Sequence, residues 1–439
     1  MAHMFSFLTL SLLSLLGAAA SQQAMTLVKL NLSFSEFSGA RCLDGSPAAY
    51  YINASNPNNF IVFLEGGGAC TSLSGTDDTN CAVRATTKYG SSNSYLPTYV
   101  DNTNLLSFLP EVNPDFYTFS KVFVPYCSGD VYAGQRNSTI PGFPYYFSGH
   151  LIVQAIIQHL LETTSIGTAQ NVLLAGDSAG GIGTIINADF VHAMLPNVAN
   201  FKAAPQAGWF FPAVVPYAIW AQVGAVTTGP FFGQSNVTVS LWDSYVLPAC
   251  LAQHSVAYCN SMNFLYPYVT TPLHVAENLQ DSYQLFISLG TPVAVTSDPF
   301  IAYFSHTMRQ DLQQIANKPQ NALFAPSCLS HVESLDLTSP VRVQGYSLAS
   351  SVGSWFFGRG TTPAMLFDTC DGVQCNPSCP PVIPPLALLT APAAVSSDSN
   401  FNLQVFVIVL PVLLGLGVAA AFFVHAALAS KGTFDPTEL

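Results

Sequence analysis

Asn171-Val-Leu-Leu-Ala-Gly-Asp-Ser-Ala-Gly-Gly181, continued by Ile182-Gly-Thr-Ile-Ile-Asn-Ala-Asp-Phe-Val-His-Ala-Met-Leu195, is the stretch on which the fold turns. Asn171 to Ala175 is a short, continuously apolar run of the kind that forms a strand buried on both faces. The residues from Gly181 to Leu195 can form a helix. Between them stands Gly176-Asp177-Ser178-Ala179-Gly180, a Gly-X-Ser-X-Gly sequence in the strand, sharp turn, helix context of a nucleophile elbow. The five letters alone would also suit a plain glycine-rich turn; the flanking elements are what distinguish the two. In so tight a turn, a Cβ at Gly176 or Gly180 would crowd the neighbouring backbone. Ser178 is then expected at the carboxyl end of a sheet, with a helix N-terminus beneath it.

Working outward, Phe60-Ile-Val-Phe-Leu64, Lys121-Val-Phe-Val-Pro125 and Pro292-Val-Ala-Val-Thr-Ser297 are further apolar runs of strand length. His150 to Glu162 carries apolar residues at helical spacing. Strand, helix and strand in succession predict an α/β class, with a doubly wound, mostly parallel sheet. Pro205 to Tyr283 is aromatic-rich and without a clear period, and reads as an inserted cover over the active face. No internal repeat and no charge block is found.

The ends read as addresses. Phe5 to Leu16, followed by Ala18-Ala19-Ala20, fits a signal peptide over residues 1–20. Residues 376–404 contain Pro-Pro-Val-Ile-Pro-Pro and a Ser-rich run, and read as a stalk. Val405 to Ala429 has no Asp, Glu, Lys or Arg, long enough to cross a bilayer core of roughly 30 Å. Residues 430–439 follow it, whereas a lipid-anchor signal would end in its apolar tail. The expectation is a hydrolase domain over 21–375, a transmembrane helix over 405–429, and a short cytoplasmic tail. That is a single-pass type I membrane protein of the secretory pathway.

Composition agrees. Charged residues make up only 8% of the 439, against a usual figure of about 25%. Twelve Lys and Arg at net charge −12 cannot cover a phosphate backbone, so nucleic acid is excluded as a partner. Ten cysteines in a secreted chain allow five disulfides, with the pairing left open. Cys370, Cys375 and Cys379 are crowded, but no nearby histidine completes a zinc pattern. Asn31, Asn53, Asn137 and Asn236 are candidate N-glycosylation sites.

A second chemical segment is Phe63-Leu-Glu-Gly-Gly-Gly-Ala-Cys70, where glycines after a strand let backbone N–H groups approach an oxyanion. With Gly176–Gly181, Lys121-Val-Phe-Val-Pro-Tyr-Cys-Ser-Gly-Asp130, Tyr146-Phe-Ser-Gly149, Ala207-Gly-Trp-Phe-Phe211 and Pro326-Ser-Cys-Leu-Ser-His331, it stands in the order of a known set. The chain resembles the pectin acetylesterase/Notum family of serine carboxylesterases over roughly Leu30 to Val332. It departs at Gln206, where the family usually carries an acid, at Ser128 for Asp, and at Ser148 for Arg. The resemblance implies an α/β-hydrolase-like fold and no metal or cofactor.

A serine needs a base. His3 and His425 fall in the two addressing segments, and His150, His159 and His192 sit on helices. His254, His274 and His306 have no motif around them. His331 follows Ser178 in the order serine, acid, histidine, beside a cysteine that would stiffen its loop; by resemblance it falls on the family's catalytic histidine. Asp298 follows the run Pro292–Ser297 and is the expected acid, with Asp281 and Asp243 as rivals. Backbone N–H groups of Gly67, Gly68 and Ala179 are the expected oxyanion donors. The function so read is hydrolysis of O-acyl groups, foremost O-acetyl, on a polysaccharide such as pectin. Deacylation of a lipid-modified protein, a serine peptidase, and a catalytically silent cell-surface binding protein are the alternatives.

Overall fold

The computed structural model describes residues 23–70, 80–139, 141–211, 240–289 and 299–381. The expected signal peptide, transmembrane helix and tail lie outside these residues. Among the described residues no helix is long and apolar enough to cross a membrane.

The chain builds a ten-stranded sheet from β1 (Met25–Lys29), β2 (Ala49–Asn53), β3 (Asn59–Leu64), β4 (Thr98–Tyr99), β5 (Ser120–Val124), β6 (Asn171–Asp177), β7 (Asn200–Gln206), β8 (His274–Ala276), β10 (Ala322–Ala325) and β12 (Met365–Phe367). A separate two-stranded ladder joins β9 (Gln280–Asp281) to β11 (Leu329–Ser330). The order in the large sheet is β12-β10-β8-β7-β6-β3-β5-β2-β1-β4. From β12 to β5 all pairs are parallel; β2, β1 and β4 add an antiparallel edge.

The strands expected near Phe60, Lys121 and Asn171 are the three central ones, and their side chains divide between two cores. Phe60, Val62 and Leu64 of β3 point into one cluster with Val172 and Leu174 of β6. Ile61, Phe63, Leu173 and Ala175 point into the other. This period-two division is why such strands read as unbroken apolar runs. Helices α1 (Gly149–Thr163) and α2 (Ala179–Met194) cover the first face, through Ile152, Ile156 and Leu160 of α1 and Ile185 and Val191 of α2. Helix α4 (Pro299–Leu312) joins the same cluster through Phe300, Phe304 and Met308. Helix α5 (Leu348–Phe356) covers the second face through Leu348, Val352 and Phe356. Helix α3 (Ser282–Leu289) follows β9 directly.

After β3 the chain moves to β5 on one side, then crosses to β6 on the other. The strand order therefore reverses around β3. In open α/β sheets such a switch point leaves a crevice outside the carboxyl ends of the strands. The segments after β3 and β6 border that crevice, and they are the two glycine-rich segments. The strand expected at Pro292–Ser297 lies outside the described residues. Within Pro205–Tyr283, read as cover, the structure places the end of β7, β8 and β9. Past residue 375, Asn376 is buried and donates to Arg342 O and Asp368 Oδ2, at 2.8 and 2.7 Å, so the first residues of the expected stalk are held on the body.

All ten cysteines pair, as Cys42–Cys127, Cys70–Cys81, Cys250–Cys259, Cys328–Cys379 and Cys370–Cys375. The crowded Cys370, Cys375 and Cys379 thus go to disulfides, and no metal-holding group of His, Cys, Asp and Glu occurs among the described residues.

Candidate active site

Strand β6 runs two residues past Ala175, and α2 begins at Ala179, so Ser178 alone makes the turn. It does so at φ 52° and ψ −119°, a conformation that a non-glycine residue adopts only under local constraint. The constraint is visible in the packing. A Cβ on Gly180 would lie 2.0 Å from Leu64 O, and one on Gly176 would lie 2.4 Å from Gly180 O. Both glycines are there because β3 and the start of α2 touch backbone to backbone. Ser178 N–H donates to Gln206 O at 2.9 Å, which ties the turn to the end of β7.

Ser178 Oγ lies 2.8 Å from His331 Nε2, and His331 Nδ1 lies 2.5 Å from Asp281 Oδ2. A hydroxyl, an imidazole and a carboxylate in one hydrogen-bonded line can move a proton off the hydroxyl and stabilise the resulting cation. Burial alone would push the His331 pKa down. The charge and hydrogen bond of Asp281 oppose this, with Asp177 and Glu333 adding to them, and the net direction is upward from 6.5.

The carboxylate on His331 Nδ1 is Asp281, which the sequence offered, with Asp243, as a rival to the expected Asp298. Asp298 lies outside the described residues, and Asp281 holds the Nδ1 position. The reason is a ladder of two residues per strand. Strand β9 pairs with β11 in parallel, Gln280 with Leu329 and Asp281 with Ser330, so Asp281 stands beside the residue preceding His331. So short a ladder leaves no periodic trace in a sequence. Asp281 Oδ1 also accepts Gln284 N–H at 2.8 Å, and Asn278 Nδ2 donates to His331 O at 2.6 Å. The Cys328–Cys379 bond anchors the same loop three residues before His331. Tyr283 stacks on the imidazole at 5.1 Å.

The glycine segment after β3 is pinned from several sides. Gly66 N–H donates to Asp177 Oδ1 at 2.9 Å, so the variable residue before the serine binds one segment to the other. Burial, then the nearby Glu65, raises the Asp177 pKa to about 6. Gly67 and Gly68 have φ of 140° and 68°, where a side chain would be strained. Arg84, wholly buried between the rings of Tyr89 and Tyr126, donates to Gly67 O. The carbonyl and N–H of one trans peptide plane point to opposite sides, so the Gly68 N–H faces away from Arg84. Ala179 opens α2, and its N–H is among the first four of a helix, which lack intrahelical partners. Arg84 escaped the sequence reading because it acts on a carbonyl 17 residues away through a short helical turn, Cys81–Arg84, without local pattern.

Five of the other histidines have structural partners. His150 meets Asn187, His159 meets Tyr50, His192 meets Thr271, His254 meets Tyr268 and His274 meets Ser351. The three departures from the family pattern are also engaged: Gln206 Oε1 accepts from Asn104, Ser128 donates to Asp130, and Ser148 donates to Arg136 O. Asn31 and Asn137 are exposed, Asn53 is half-buried with its Nδ2 on Ala24 O, and Asn236 lies outside the described residues.

The family model for pectinacetylesterase matches residues 18–380. Pectin acetylesterase 7 of Arabidopsis thaliana is 29% identical over 78% of this chain and 90% of its own length. The human palmitoleoyl-protein carboxylesterase NOTUM is 30% identical over 85% of this chain and 77% of its own. The crystal structure of the Wnt deacylase Notum from Drosophila superposes with a TM-score of 0.68 at 26% identity, covering 82% of this chain and all of that one.

Proposed function

Because the chain belongs to the pectinacetylesterase family, whose members are carboxylic ester hydrolases, we propose that it removes O-acetyl groups from a polysaccharide such as pectin, with Ser178, His331 and Asp281 as its triad. The observation that carries this is the unbroken line of hydrogen bonds from Ser178 Oγ through His331 to Asp281. Ser178 Oγ attacks the ester carbonyl while His331 Nε2 takes its proton. Asp281 holds Nδ1–H and stabilises the imidazolium. The negative oxygen of the tetrahedral intermediate is received by the N–H groups of Gly67, Gly68 and Ala179, where losing one such donor costs roughly 3 kcal/mol. His331 then protonates the leaving sugar oxygen, and water, activated by the same imidazole, hydrolyses the acyl-enzyme. No step calls on a metal or cofactor.

The preference for acetyl rests on Tyr283. Its ring lies against His331, and its hydroxyl would be 3.0 Å from a Cβ at Gly68. The side chain thus reaches from the base to the oxyanion segment, and in this proposal it limits the length of the acyl chain. Removal of a lipid from a protein, the activity in the human relative's name, is the second reading. The five disulfides fit the secretory route. The signal peptide, the anchor over 405–429 and glycans at Asn31 and Asn137 belong to the same proposal.

A substrate panel on secreted protein decides: aryl acetate, aryl octanoate, and acetylated pectin or xylan. Release of acetate from the polymer with poor octanoate turnover is expected, and the reverse ranking would transfer the assignment to lipid removal. Absence of fluorophosphonate labelling at Ser178 in folded protein would leave only the silent binding protein.

A further inference from the structure

Asp281 is not the only carboxyl behind His331. Glu277, four residues earlier and directly after β8, is fully buried, as is Asp281. Gln284 of α3 bridges the two, its backbone N–H on Asp281 Oδ1 at 2.8 Å and its Nε2 3.4 Å from Glu277 Oε1. Trp209 N–H donates to Glu277 Oε2 at 2.8 Å, and Glu277 N–H donates to Phe324 O of β10. Among the described residues the ion pairs are Lys88–Glu65, His331–Asp281 and Arg359–Asp115, and none reaches Glu277. Among the described residues, the charged groups facing it from the elements around it are Asp281 and His331 on one side and Asp311 of α4 on the other. Asp311 accepts from the Trp209 indole, and Arg309 of the same helix is turned to the carbonyls of Asp368 and Cys370.

Two fully buried carboxyls bridged by one glutamine, with a single imidazole paired to one of them, ionise together only at high cost. Asp281 has the imidazole as its partner. We propose that Glu277 is a neutral carboxylic acid that donates its O–H to Asp281 and so fixes the carboxylate that orients His331. Burial, and then the Asp281 charge and a hydrogen bond to it, hold the Glu277 pKa well above the usual carboxylate range, while the Trp209 N–H opposes this more weakly. Asp281 is thereby held from three directions, by His331, by Gln284 and by Glu277. Glu277 is a positioning residue: it touches neither substrate nor Ser178. The inference rests on reading Ser178, His331 and Asp281 as the triad.

The experiment compares wild type, Glu277→Gln and Glu277→Leu. Infrared difference spectra of wild type minus Glu277→Gln at slightly alkaline pH should contain the carbonyl band of a protonated carboxylic acid; its absence would overturn the proposal whatever the activity. With aryl acetate, Glu277→Leu should lose roughly tenfold or more in kcat at similar KM, since a buried donor to a charged acceptor is gone. Glu277→Gln, which keeps a donor, should recover most of that loss, with the acid limb of its pH profile in place. An ionised Glu277 predicts instead that Glu277→Gln moves the limb to lower pH, because a negative charge near His331 disappears. Wild-type kcat in Glu277→Leu would also sink the idea. Should Glu277→Leu fail to fold, the spectrum and the Glu277→Gln profile decide alone. Fluorophosphonate labelling of Ser178 in the wild type tests the triad reading separately from the spectrum.

Discussion

Exchange of Asp281 for Asn separates the two candidate acids at the scale of one side chain. The Asp281 charge raises the His331 pKa above 6.5, and catalysis needs the imidazole neutral, so kcat/KM rises with pH through that raised value. Asp281→Asn should lower the plateau by about 10⁴-fold and move the remaining acid limb to lower pH. Asp298→Asn should leave plateau and limb near wild type. A plateau lost in Asp298→Asn and kept in Asp281→Asn would return the role to Asp298. Tyr283→Ala should shift the ratio of octanoate to acetate turnover toward octanoate, as room opens beside Gly68. An unchanged ratio would detach chain-length selection from this ring.

The loop that delivers His331 has little regular structure of its own, and the two-residue ladder of β11 on β9 is short. What holds it is Cys328–Cys379, which closes a loop of 51 residues. A cross-link over that separation restricts the unfolded chain by about 4 kcal/mol. Cys328→Ser with Cys379→Ser should therefore lower Tm and also lower kcat, because His331 loses its fixed distance to Ser178. Cys250→Ser with Cys259→Ser, in a segment remote from the triad in sequence, should lower Tm with a smaller effect on kcat. Equal kcat in both double variants would show that the disulfide at Cys328 does not position the base.

Across the whole molecule, net charge −12 sets a pH dependence of stability. Asp336 is the clearest contributor: burial first, then Asp101 and Asp177, raise its pKa from 3.8 to about 7. The folded state therefore binds a proton that the unfolded chain has released. That contribution is complete below 3.8 and is lost as pH rises to about 7. Asp336→Asn should raise Tm at about pH 8 and change it little at about pH 4. A larger gain at the acid end would contradict the direction of the shift.

The amino-acid sequence by itself determined the strands β3, β5 and β6, the helices α1 and α2, and the tight turn at Ser178. Each of these is local: an apolar run, a helical period, or glycines at fixed spacing that backbone contact demands. The glycines after β3 were legible for the same reason, and their φ of 140° and 68° are what such residues permit. Only tertiary structure brings Asp281 to His331. Asp281 and Asp298 both follow Ser178 and precede His331, and the choice lies in a ladder of two residues and a hydrogen bond spanning 50 positions. Arg84 behind Gly67 and Glu277 behind Asp281 were decided in the same way. Burial gives a lone charged side chain its meaning, and burial is a property of the packed chain, not of its order.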